Sequence, residues 1–209
     1  ATHTKRIIFH PKILPTIVIC DPELTVGMPP KITAGTGMDA FSHCLEAYCA
    51  PGFHPLADGI AVEGMRLIAS ALPRVMSAPA DLEARADMLA AAAMGATAFQ
   101  KGLGGMHALA HPIGALFDTH HGMTNATLMP YVLAHNRAAI EVRIQRLAAY
   151  LGLPDPGFDS FQQLVLDLRR QVGVPHTLGE LGVDATRQEE IGAREDAPAR
   201  RRGADRMGR

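Results

Sequence analysis

The chain has 209 residues, enough for one domain whose core can bury roughly 70% of the unfolded surface. A net charge of −1 gives no electrostatic pull toward nucleic acid or an anionic membrane, and no apolar run approaches the ~20 residues of a membrane span. Three cysteines, Cys20, Cys44 and Cys49, form no Cys-x-x-Cys pair and leave one thiol over in any pairing, the pattern of a reducing cytoplasm. Residues 5–9 and 16–20 are short β-branched runs either side of a proline-bounded turn, and they read as two strands. Two strands alone are marginal in water, so they are expected to belong to a sheet that the rest of the chain does not supply. Asp21-Pro22 and Met28-Pro29-Pro30 mark a connector.

From Lys31 the pattern is helical almost throughout, and plentiful alanine and methionine with no tryptophan suit packed helices. Thr36 is expected to N-cap a helix over 37–50, closed by Pro51-Gly52. Pro55 suits the first turn of a second helix running toward Ala71 before Pro73. Asp81 can cap an alanine-rich helix to about Lys101, with Gly102 as its left-handed stop. Further helices are expected over 104–116, 122–137, 141–151 and 159–171, with Gly152 and Gly173 ending the last two. Residues 193–209 hold six arginines, three acids and no large aliphatic side chain except Met207. Such a segment cannot offset its ordering entropy, so it is expected to be a disordered, aberrant tail, solvated rather than a nucleic-acid arm. The expected fold is mainly α with a short β remnant at the N-terminus.

Chemistry concentrates between Gly102 and Gly122, where His107, His111, His120 and His121 lie within fifteen residues. His107 and His111 are four apart, so on a helix they share a face, and upstream Asp39 and His43 repeat that spacing. Together they offer one carboxylate and several imidazoles from separate helices, the supply a divalent transition metal needs. His3, His10, His54, His135 and His176 have no such neighbours and read as surface or satisfied core groups. Spacing does not say which of His107 and His111 would bind metal, nor choose between His120 and His121.

Asp39-x-x-x-His43, then Gly102-Leu-Gly-x-x-His107-x-x-x-His111-Pro-x-Gly, then His121-Gly122, resembles the iron-containing (group III) alcohol dehydrogenases. Asp21-Pro22-Glu23-Leu24, Gly37-Met38-Asp39-Ala40, Glu46-Ala47-Tyr48 and His54-Pro55-Leu56-Ala57-Asp58 extend the likeness to residues 5–190. The resemblance implies the helical C-terminal domain of the dehydroquinate synthase-like type. It implies a metal held by Asp39, His43, His107 and His121, with His111 beside the nicotinamide of NAD or NADP as cofactor-binding and catalytic residue. Fe(II) is the ion implied and Zn(II) the substitute; polyol and quinate-type relatives bind zinc with fewer ligands. The chemistry implied is oxidation of a small alcohol to an aldehyde or ketone, the ion acting as Lewis acid and the nicotinamide taking the hydride. Two histidines and a carboxylate are also the set of non-haem iron oxygenases, but those sites sit on β-barrels and these residues lie on helices.

The family's Gly-Gly-Gly-Ser type phosphate turn has no counterpart here, since Gly102-Leu-Gly-Gly105 follows no strand. Residues 1–30 are therefore expected to be a remnant of the nucleotide-binding α/β domain with its connector, and residues 31–192 the metal- and substrate-binding domain. The chain alone is expected to be inactive, or to be a non-catalytic metal-binding helical fragment; the full-length enzyme is expected to be a cytoplasmic homo-oligomer with no nucleic-acid or membrane partner.

Overall fold

The computed structural model describes residues 10–192 of the chain, and the expected strand at 5–9 and the expected tail at 193–209 lie outside them. Six α-helices account for most of the described chain: α1 (Pro30–Cys49), α2 (Pro55–Ser77), α3 (Leu82–Ala98), α4 (Gly105–Phe117), α5 (His121–Tyr150) and α6 (Phe158–Gln171). None is long and apolar enough to cross a membrane. The fold is mainly α, as the sequence pattern requires.

Helix α1 is the centre. Thirteen of its twenty residues are buried, so it cannot present a polar face and must be wrapped by others. It packs against α2, α3 and α5, while α4 and α6 lie against α5. Met38, Phe41, Cys44 and Leu45 of α1 form one core with Met65, Ile68 and Leu72 of α2, Met129 and Ile144 of α5, and Phe161 of α6.

Helix ends follow local chemistry where a polar side chain is available. His54 accepts from Ala57 N at 3.2 Å before α2, and Asp81 accepts from Ala84 N at 3.0 Å before α3. Gly152 and Gly173 follow α5 and α6 with φ of 71° and 72°, the left-handed stops expected there.

Five local expectations are corrected. Helix α1 starts at Pro30, not after Thr36: Pro30 occupies the first helical position, Thr33 and Ala34 are already buried, and the Thr36 hydroxyl donates back to Ile32 O at 2.8 Å. Helix α2 runs through Pro73, because Leu72 and Val75 on either side are buried and their packing offsets the lost backbone bond. The two helices expected over 122–137 and 141–151 are one, α5, since Leu133, Ile140, Ile144 and Leu147 make a continuous buried stripe. Residues 16–20 form no strand: nothing among the described residues pairs with them, and Ile17, Val18 and Ile19 are exposed. At the end of α3, the chain reaches Lys101 by a 3-10 turn, and Gly102 takes φ 153°, ψ 157°, a glycine conformation but not the left-handed helical one.

One contact sets how α5 meets α1. A Cβ on Gly122 would overlap the carbonyl oxygen of Gly35, backbone against backbone. This approach lets the first turn of α5 lie directly on α1, one turn from Asp39. Gly122→Ala must push the helices apart and is expected to cost about 1–3 kcal/mol of stability. Urea unfolding of the variant beside the unaltered chain measures it; an unchanged midpoint and slope would show that the crossing has slack.

Candidate metal centre

Three helices bring the site together. Asp39 and His43 lie one turn apart on α1, His107 and His111 one turn apart on α4, and His121 opens α5. Asp39 stands at the middle: its Oδ1 is 3.8 Å from His107 Nε2 and 3.6 Å from His121 Nε2, and its Oδ2 is 4.0 Å from His43 Nε2. The His43 and His107 rings stack at 4.7 Å, and the His107 and His121 rings lie 5.2 Å apart. Asp39, His43 and His107 each offer one donor atom within 4.8 Å of the others, a spacing that suits one small cation.

The histidines left unresolved by spacing occupy different places. His111 is half-buried, its ring stacked on that of His121 at 5.3 Å and 6.0 Å from that of His107. His120 caps α5, its Nδ1 accepting from Met123 N at 3.4 Å, and its ring lies over Gly35. His10, His54, His135 and His176 are exposed and away from the cluster.

Two participants were not singled out from the sequence. Glu46, buried on α1, accepts from His107 Nδ1 at 2.7 Å through Oε2 and from Met106 N at 2.6 Å through Oε1. With the proton on Nδ1, the Nε2 lone pair of His107 faces Asp39, which is the tautomer a metal ligand needs. Asn125, fully buried one turn along α5 from His121, donates from Nδ2 to Asp39 Oδ1 at 2.8 Å. Both have a spacing signal: Asp39, His43 and Glu46 repeat at i, i+4, i+7, and His121 and Asn125 at i, i+4.

Burial pushes the His43 imidazole below its ordinary value of 6.5; Asp39 opposes the shift, His107 adds to it, and Glu46 opposes it. His43 is therefore neutral at pH 7 and keeps a lone pair to give. Cys44 and Cys49 offer no competing thiolate, since burial pushes both up to about 12.

The sequence of the family described as Fe-containing alcohol dehydrogenase, C-terminal, matches residues 33–199. Over 189 residues the chain is 43% identical to the 4-hydroxybutyrate dehydrogenase of Cupriavidus necator, covering 86% of this chain and 49% of that protein. The iron-containing alcohol dehydrogenase from Thermococcus thioreducens superposes with a TM-score of 0.81 at 31% identity, over 90% of this chain and 50% of that one. A sulfoacetaldehyde reductase from Bifidobacterium kashiwanohense, solved in complex with NAD+, gives a TM-score of 0.76 at 29% identity, over 84% of this chain and 46% of its own. The chain thus spans about half the length of the relatives it matches. Sequence match and shared helical fold agree: the chain belongs to the Fe-containing alcohol dehydrogenase family and corresponds to its C-terminal part.

Proposed function

We propose that this chain is the metal- and alcohol-binding half of an NAD(P)-dependent alcohol dehydrogenase, with Asp39, His43, His107 and His121 as the ligands of one Fe(II) or Zn(II) ion. The supporting observation is the convergence of one carboxylate and three imidazoles from three helices, with Glu46 holding His107 in the tautomer whose Nε2 lone pair faces inward. The donor set fits such an ion: it is small, nitrogen-rich and needs no thiolate. Bound there, a divalent ion supplies the Lewis acidity that lowers the pKa of an alcohol hydroxyl.

The chain's own groups then have distinct tasks. Asp39 provides the negative charge at the donor side, and Glu46 fixes the His107 ring through its Nδ1–H. His111, whose ring stacks on that of His121, is the group assigned to take a proton from the alcohol and to lie beside the nicotinamide. The substrate class is a small alcohol or the matching aldehyde or ketone.

A second reading is a non-catalytic metal-binding fragment, favoured by one observation: no strand, and so no strand-borne glycine-rich phosphate turn, exists among the described residues. Hydride transfer needs both reactants held together, a positioning effect of roughly 7–11 kcal/mol. The isolated 209-residue chain is expected to give negligible alcohol-dependent NAD(P)H formation, recovered when a nucleotide-binding half is supplied separately. A normal enzymatic rate from the chain alone would refute the division of labour proposed here.

Elemental analysis tests the ligand set directly. His121→Ala should lose most of the bound metal and His120→Ala little; equal metal in both removes His121 from the site.

His107 and His111 share a helix face but differ in role. In an enzyme completed by its nucleotide half, His107→Ala should abolish metal and activity together. His111→Ala should keep its metal, lose about 10²–10⁴-fold in rate, and flatten the pH dependence of turnover between about pH 6 and 8. Metal lost from His111→Ala and kept in His107→Ala would exchange the two assignments.

A further inference from the structure

The amide of Asn125 has more contacts than a filler of the α1–α5 seam requires. Its Nδ2 lies 2.8 Å from Asp39 Oδ1 and 3.1 Å from the Nε2 of both His107 and His121. Those carboxylate–imidazole separations are 3.8 and 3.6 Å, so the amide nitrogen caps three proposed ligand atoms at once. Its other end makes no bond: Oδ1 is buried without a partner among the described residues. All of the hydrogen bonding of this fully buried side chain is thus directed at the three donor atoms.

Burial shows which side Asn125 takes. The side chains of Asp39 and His121 keep 22% and 27% of their exposure, whereas Asn125 keeps none. The amide therefore approaches from the interior, and solvent from the opposite side. An NH2 group has two N–H bonds and donates only to atoms that offer lone pairs, so contact with three atoms sets an Asp39 oxygen and the Nε2 lone pairs of both imidazoles facing it, two of the three sharing one N–H. The Glu46 bond independently selects that tautomer at His107.

We infer that Asn125 is the positioning residue of the metal centre: its amide gathers Asp39, His107 and His121 and turns both Nε2 lone pairs inward, while the partly exposed side admits the ion. An ion that takes the single Nε2 lone pairs displaces the amide from the imidazoles, and the bond to Asp39 Oδ1, an oxygen with a second lone pair, is kept. The inference rests on the metal-centre reading above and adds to it a residue outside the ligand set. Removal of such a supporting group from a metal site typically weakens binding about 10–100-fold.

The test is Zn(II) and Co(II) titration of the 209-residue chain beside Asn125→Leu, a replacement of similar volume that keeps the packing and removes the N–H donors. Asn125→Leu is expected to retain its helical circular dichroism and its unfolding midpoint, to bind Zn(II) about 10–100-fold more weakly, and to change the visible ligand-field spectrum of bound Co(II). A folded Asn125→Leu with the parental affinity and Co(II) spectrum overturns the inference. If Leu does not fold, the unaltered chain decides: the Asn125 side-chain NH2 resonances should shift on Zn(II) binding, and their constancy overturns it equally. Failure of the unaltered chain to bind either ion would instead sink the metal-centre reading itself.

Discussion

The buried carboxylate of Glu46 is the constraint on which the site depends. It receives the Met106 N–H, one of the donors that the start of α4 leaves without an intrahelical partner, and the Nδ1–H of His107 in the next position. A carboxylate at a helix N-terminus also meets the positive end of the helix dipole. The same two bonds that let a negative charge stay buried in α1 therefore dock α4 and orient its first histidine. Gly104 is small for the same reason, since a Cβ there would stand 3.0 Å from Glu46 Oε1. Fold and function share one interaction here, and neither can be altered alone.

A second constraint is steric. Asp39 and His43 cannot leave α1, and His121 reaches Asp39 only because α5 crosses α1 at Gly35 and Gly122 with almost no space between backbones. The crossing also explains the split between adjacent histidines. With α5 starting at His121, the preceding residue becomes its cap and turns its ring over Gly35, while the first helical residue projects toward Asp39. Neighbours in sequence thus receive opposite tasks from a single helix start.

That helix start is a tertiary result, which marks how much the sequence could disclose. Helical character from Lys31 onward, the Asp81 cap and the glycine stops at 152 and 173 were legible because each rests on chemistry within a few residues. The true beginning of α1, the passage of α2 through Pro73 and the continuity of α5 were not, because burial against other helices outweighs the local signal in each case. The run at 16–20 shows the converse: β-branched residues set a preference, but a strand exists only where another pairs with it. In the site, the i, i+4 pairs marked which faces carry donors. The choices between His107 and His111 and between His120 and His121 came from family likeness. Glu46 figures only as part of that likeness and Asn125 not at all, because only the assembled helices show what their side chains meet.

Charge balance connects these residues to the kind of ion the centre suits. Asp39 among the donors and Glu46 behind His107 contribute two negative charges, and a neutral His43 adds none. A divalent ion would bring the local sum to zero, whereas a monovalent or trivalent one would leave a net charge in a partly buried, low-dielectric place. Without an ion, the same two carboxylates need hydrogen-bond donors, and Met106 N–H, His107 Nδ1–H and the Asn125 amide provide them. Only the amide contact lies among the proposed donor atoms; the Glu46 bonds stand behind His107 and need not change when an ion enters. On the proposed reading, the scaffold built on Glu46 stays fixed, the amide keeps its bond to Asp39, and only its contacts with the two imidazoles give way to an ion.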